Sequence, residues 1–293
     1  MFADSSVQFV PVASGREGFS KVVLLADDGA RADVYLHGGQ VTSWVSAGDT
    51  TDRLFLSSRA QFKTGGAIRG GVPVSFPQFA GQGSLPSHGF ARVSVWDLVR
   101  AGRLQSGAAQ ATLRLTHSPA TFALWTHAFA VELTVTVVGR QLDIDLVVRN
   151  TGSTTFEFTG ALHTYLRVAD IGSVAIRGLR NAHYRDKVLG KDDLVEWATE
   201  LKIDRPIDRI YFVAPDEIEI REPGRTTISH ATGFPDTVVW NPGERGGAAL
   251  DDLEPGGYIR MVCIEAAVAR TAAIVSPNGT WSGAQRLIAS SEK

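Results

Sequence analysis

The stretch VELTVTVVGRQLDIDLVV sets Val131, Leu133, Val135 and Val137 in alternation with polar residues, breaks near Gly139, and resumes with Leu142, Ile144, Leu146 and Val148. Successive side chains of an extended chain point to opposite faces, so this period of two predicts an antiparallel hairpin with one face buried. Shorter stretches of the same period recur at ATLRLTH, TTFEFTG and DEIEIRE, separated by the turn clusters RNTGST, REPGRT and NPGERGG. Helical periodicity is scarce, and the one short helix suggested lies around SSRAQF. Many strands separated by turns predict an all-β chain of large antiparallel sheets with few short helices, rather than a βαβ design. No Gly/Ser linker, internal repeat or low-complexity segment divides the chain, so a single domain over 1–293 is expected.

Composition narrows the classes of function. The 293 residues are 44% hydrophobic and 20% charged, with thirty glycines and twelve prolines, as suits a folded protein with a substantial core and many turns. A formal net charge of −2 and the lack of any Lys/Arg run give no basis for nucleic-acid binding or a polybasic membrane anchor. The N-terminal MFADSSVQFVPVASG has no basic segment followed by an apolar one, and no apolar stretch is long enough to span a bilayer, which predicts a cytoplasmic protein. Cys263 is the sole cysteine, which excludes an internal disulfide and a cysteine-rich metal cluster. HExxH, GxSxG, P-loop and dinucleotide-binding patterns are missing, so metal hydrolase and serine hydrolase chemistry have no motif to rest on.

Candidate chemistry begins with Glu265, set in YIRMVCIEAAVA. As a strand, this run places Met261, Cys263, Glu265 and Ala267 on one face and Val262, Ile264, Ala266 and Val268 on the other. Glu265 is the one charge among them; a desolvated carboxylate becomes a stronger base, although a buried ion pair or a strand end reaching solvent fits as well. GALHTYLRV similarly sets His163, Tyr165 and Arg167 on one face and Leu162, Leu166 and Val168 on the other. His163 has the titration range of an acid–base group, but taken alone the stretch fits a hydrogen-bonded structural histidine better. The glycine- and proline-containing segment Thr64–Arg92 predicts a long structured loop carrying Arg69, His88 and Arg92. Guanidinium forks match phosphate or carboxylate groups, but loop arginines are common. Asp208 in PIDRIYF and Asp236 in DTVVW stay open between strand-end and site roles, and Trp240 and Trp281 between sugar stacking and core.

Seven stretches in order, AIRGGVPVSFPQF, LPSHGFAR, ALHTYLRV, DRIY, TVVWNP, MVCIEAA and WSGAQRL, give the chain its resemblance to a known family. From about Tyr35 to Leu287 it closely resembles the hexose-6-phosphate mutarotases, also called glucose-6-phosphate 1-epimerases, of the aldose 1-epimerase superfamily. The resemblance implies a galactose-mutarotase-like β-supersandwich with an open sugar cleft, no cofactor and no metal, and a hexose phosphate substrate; a monomer is expected. It implies Glu265 as general base and His163 as general acid, His88 and Asp208 as sugar ligands, and Arg69 and Arg92 as partners of the substrate phosphate. Ser87 stands where glutamine is common, Leu166 where phenylalanine is common, and Gly243 where a bulky residue often follows WNP; these departures are expected beside the site and bear on substrate preference more than on reaction. Three rivals stay in view: mutarotation of an unphosphorylated aldose, a noncatalytic carbohydrate-binding protein, and glycoside hydrolysis with Asp208 as the second carboxylate.

Overall fold

The computed structural model describes residues 12–290; both ends of the expected 1–293 domain, including most of the N-terminal stretch read for a leader, lie outside them. Strands dominate, arranged in antiparallel sheets of four, eight and nine strands. Strands Phe129–Val138 and Gln141–Asn150 form the expected hairpin, pairing from Phe129 with Asn150 to Val138 with Gln141 and turning at Gly139 with φ 56°. They occupy the middle of the nine-stranded sheet, flanked by Ala109–Thr116 and Thr280–Ser290. Val131, Leu133, Val135, Leu142, Ile144 and Leu146 point inward and are buried.

The eight-stranded sheet runs in the order Lys191–Val195, His183–Asp186, Ile207–Tyr211, Asp236–Asn241, Met261–Val275, Phe156–Leu162 and Val74–Ser75, with Tyr165–Arg167 also pairing to Met261–Val275. Val262, Ile264, Ala266 and Val268 join the inward residues of the other two sheets in one contiguous apolar cluster. On the opposite face, Met261 and Cys263 pack with Phe55, Tyr165 and Leu253, while Ala267 packs with Phe79, Ile210 and Val238. The strand is therefore buried on both faces, and this second face carries the candidate chemistry.

Two local expectations change. SSRAQF is a turn rather than a helix: Ser57 Oγ and the Ser58 N–H both donate to Glu254, and the chain closes a single turn from Ala60 N–H to Ser57 O at 3.1 Å. The short α-helices are Pro119–Leu124 and Gly243–Ala248. The first starts at a capping box in which Ser118 and Thr121 exchange side-chain to backbone hydrogen bonds, with Pro119 in the first turn. Among the described residues no helix is long and apolar enough to cross a membrane.

Candidate active site

Strand register brings the candidate residues together. Tyr165 pairs with Cys263, Cys263 with Trp240, and Trp240 with Asp208, which puts these four side chains on one face of adjoining strands. Two residues along, Glu265 pairs with Val238 on the same face. Across from it the chain breaks from Phe156–Leu162 before resuming at Tyr165, with the Ile264 N–H donating to Thr164 O at 3.0 Å. His163 sits in that break, its Nε2 3.4 Å from Glu265 Oε1.

A buried bridge from the other sheet supports the break. Gln285, in WSGAQRL, donates from Nε2 to Ile264 O at 3.0 Å and accepts from Thr164 Oγ1 at 2.5 Å. It thereby fixes the residues that adjoin both His163 and Glu265. No local pattern in WSGAQRL marks this glutamine as a brace of the site.

The loop Thr64–Arg92 is largely irregular, as expected, and adds one wall. His163 N–H donates to Pro73 O at 2.9 Å and Tyr165 N–H to Gly71 O at 2.8 Å, so the loop runs alongside the broken strand. Gly71 has φ 64°, and a Cβ there would lie 2.1 Å from Val41 O; only glycine fits. His88 and Gly89 are both left-handed, at φ 64° and 68°, and a Cβ on Gly89 would lie 2.2 Å from Phe76 O. This turn shares a hydrogen bond of 2.8 Å between His88 Nδ1 and Ser75 Oγ and sets the imidazole 5.3 Å from that of His163.

Arg69 is held in a fork, donating from Nε to Asp252 Oδ1 at 3.0 Å and from Nη1 to Tyr165 Oη at 2.9 Å. Arg92 donates from Nη2 to Ser87 O at 2.9 Å, while its buried Nε has no partner. The two guanidinium groups feel each other's charge, and Arg92 is also within electrostatic reach of Tyr165, Asp252 and Glu265. On the far wall, Asp208 pairs with Lys187 at 2.7 Å. Lys187, Asp252 and Ser75 were missed by sequence reasoning. Lys187 and Asp252 sit in charged, turn-like stretches, YRDKVLGKDD and ALDDLEPGG, with no local signal that they face inward.

Burial dominates the electrostatics. It pushes the Glu265 carboxyl well above the usual carboxylate range, with Asp208 adding to the rise and Lys187 and Arg92 opposing it. Burial holds the His163 imidazolium well below its usual range, helped by His88, Arg92 and Arg69. His88 is lowered to about 3 by burial, then by Arg92, Lys187 and Arg69. Burial therefore disfavours the charged form of each partner. Glu265 Oε2 is buried without a hydrogen-bond partner, a costly arrangement unless a ligand completes it.

Other candidates fall elsewhere. Arg167 donates to Leu54 O at 3.3 Å and lies over Phe55, away from His163. Asp236 accepts from the backbone of Ala269 and Arg270, both at 2.8 Å, and is a strand brace. Trp281 is half-buried, packing on Phe158 and Phe234 against the core, whereas Trp240 lies perpendicular to the rings of His163 and Tyr165. Of the three departures, Leu166 belongs to the buried core and Gly243 opens a helix against Pro206, so neither lies beside the site as expected. Ser87 meets Arg92 through its backbone carbonyl.

The chain is similar to other proteins in sequence and in fold. A protein of Cenchrus ciliaris, provisionally named a glucose-6-phosphate 1-epimerase, is 35% identical over 285 residues, covering 94% of this chain and 86% of its own. An Escherichia coli (strain K12) protein with the same provisional name is 36% identical over 269 residues, covering 89% and 88%. A Salmonella typhimurium crystal structure, described provisionally as a mutarotase, superposes with a TM-score of 0.85 at 28% identity over 97% of both chains. The galactose 1-epimerase of Lactobacillus acidophilus shares the fold, with a TM-score of 0.74 at 10% identity over 98% of this chain and 100% of that one. With the aldose 1-epimerase family model matching residues 21–287 as well, the chain belongs to the aldose 1-epimerase family.

Proposed function

We propose that the chain is a hexose-6-phosphate mutarotase, interconverting the α and β anomers of glucose 6-phosphate or a related ester on a single domain. The observation that carries this reading is the buried contact between His163 and Glu265, 3.4 Å apart on a face where two loop arginines also gather. In the first step the Glu265 carboxylate takes the proton of the anomeric hydroxyl. The C1–O1 bond becomes a carbonyl, the C1–O5 bond breaks, and O5 takes its proton from the His163 imidazolium. Rotation about C1–C2 presents the other face of the aldehyde; closure then returns one proton from O5 to His163 and one from Glu265 to O1.

The pair holds one proton throughout. Its charged form accompanies the closed sugar and its neutral form the open aldehyde. Burial favours the neutral form, so the pocket stabilises the open intermediate's partner state. Asp208 and His88 act as ligands for ring hydroxyls, and Arg69 and Arg92 hold the phosphate.

The test is anomer exchange of glucose 6-phosphate and of glucose, followed by NMR. Faster exchange with the phosphate ester, lost in His163→Asn and Glu265→Gln, is expected; unchanged rates in both variants reject the assigned roles. One observation favours the unphosphorylated aldose instead: Asp252 already offsets the charge of Arg69. Equal kcat/KM for glucose and its 6-phosphate, with no change in Arg92→Met, would replace the phosphate reading by that one.

A further inference from the structure

The site contains a side chain that the reaction leaves without a role. Tyr165 is buried, its ring stacked on His163 with centroids 4.8 Å apart and planes 11° from parallel. Its hydroxyl accepts the hydrogen bond from Arg69 Nη1 at 2.9 Å. Trp240 lies roughly perpendicular to both rings, with its centroid 5.8 Å from that of His163 and 5.9 Å from that of Tyr165.

The geometry points to Tyr165 as a positioning residue that links the phosphate subsite to the acid: a phosphate held at Arg69 fixes Tyr165, and Tyr165 fixes the ring plane of His163. This rests on the hexose-phosphate reading and deepens it. The substrate phosphate then raises turnover as well as affinity, because binding energy at a remote group is used to orient the reacting one.

Three features support the link. Arg69 uses two of its five N–H groups, on Asp252 and Tyr165, which leaves donors for a phosphate without breaking either bond. His163 has no short side-chain hydrogen bond to set its plane, since its nearest charged partner, Glu265, is 3.4 Å away; the stack on Tyr165 does this instead. The charges of Arg69 and Arg92 also disfavour the imidazolium, and a dianion bound between them removes that opposition. Orientation and protonation therefore change in the same direction when phosphate binds.

The experiment cuts the substrate into two pieces. Glucose anomer exchange is measured with and without inorganic phosphate in wild type, Tyr165→Phe and Tyr165→Met, with glucose 6-phosphate as the whole substrate. We expect phosphate to accelerate wild-type glucose exchange about tenfold, at the scale expected when remote binding energy orients a reacting group. In Tyr165→Phe, which keeps the ring but releases Arg69, acceleration falls to about twofold or less, and in Tyr165→Met it vanishes. The ratio with and without phosphate is the readout, so any change in unassisted exchange divides out. With glucose 6-phosphate, Tyr165→Phe lowers kcat as well as raising KM.

Equal acceleration in wild type and Tyr165→Phe, or a change confined to KM, overturns the link. So does a wild type that prefers glucose 6-phosphate yet gains nothing from phosphate added to glucose, a result that needs no folded variant. If wild type shows no preference for the ester at all, the hexose-phosphate reading itself falls, and this is read from the unaltered enzyme.

Discussion

Two clusters of buried charge share the eight-stranded sheet and differ in whether they are complete. Arg209 donates to Asp186 at 3.1 Å and to Glu196 at 2.8 Å, and Tyr211 adds a hydrogen bond to Glu196 at 3.1 Å. The remaining carboxylate oxygens accept from the backbone of Leu189 and Ala198. Glu265, by contrast, has one oxygen without a partner and the other 3.4 Å from His163. One strand serves both clusters, because Asp208 and Arg209 are neighbours in it and point to opposite faces. A complete cluster holds strands together; an incomplete one stores acceptors and donors that only a ligand satisfies.

The sharpest way to break this comparison is Glu265→Gln. An amide of the same shape cannot take the anomeric proton, so exchange of glucose 6-phosphate should fall about 10³-fold, the usual scale for loss of a positioned base. Its stability should not fall. The folded-state value of Glu265 is raised, so the wild type loses stability as pH climbs above the unfolded carboxyl value and through the folded one. The glutamine variant escapes that loss, and its advantage in urea denaturation should widen as pH rises above the unfolded carboxyl value. A variant that is both active and less stable would show that Glu265 is structural.

Arg209→Ala should do the reverse. Removing the cation leaves the charges of Asp186 and Glu196 buried without their counter-ion, which costs about 3–5 kcal/mol, measurable in the urea midpoint. Asp208 and Lys187 keep their own pair, so in the folded fraction exchange should change far less than in Glu265→Gln.

This contrast also explains what the sequence made legible. The hairpin through Gly139 could be read because one face meets solvent, so apolar and polar residues alternate. Met261–Ala269 is buried on both faces, and the loss of alternation is what made Glu265 conspicuous. No local pattern could show that His163 lies across from it, since that depends on a pairing between distant segments and on the break after Leu162. The order of seven motifs carried that inference instead. Asp252 and Lys187 escaped both routes, because a charge that folds inward from a polar turn looks like one that stays in water. The short helix was misplaced for a related reason: the serines of SSRAQF are taken by Glu254, a partner remote in sequence.

A smaller effect should appear in acid. His88 is depressed to about 3, so its contribution is present above the unfolded histidine value near 6.5 and is lost as pH falls toward about 3. His163 is shifted in the same direction. Asparagine tolerates the left-handed backbone at this position, so His88→Asn should flatten the decline in urea stability between pH 6.5 and 4 without abolishing it. An unchanged decline would mean that the imidazole is more hydrated than its burial indicates.

The smallest effect belongs to charges on the outside of the nine-stranded sheet. Arg114 donates from Nε to Glu132 at 2.8 Å across neighbouring strands, a geometry as good as that of Arg209 with Glu196. Solvent makes the difference, since the Arg114 side chain is 45% exposed and that of Arg209 10%. Water takes over the freed carboxylate, so Arg114→Ala should shift stability by less than about 0.5 kcal/mol. Should it cost as much as Arg209→Ala in the same denaturation assay, burial would not be what separates the clusters, and the unpaired oxygen of Glu265 would lose its significance as the mark of a ligand site.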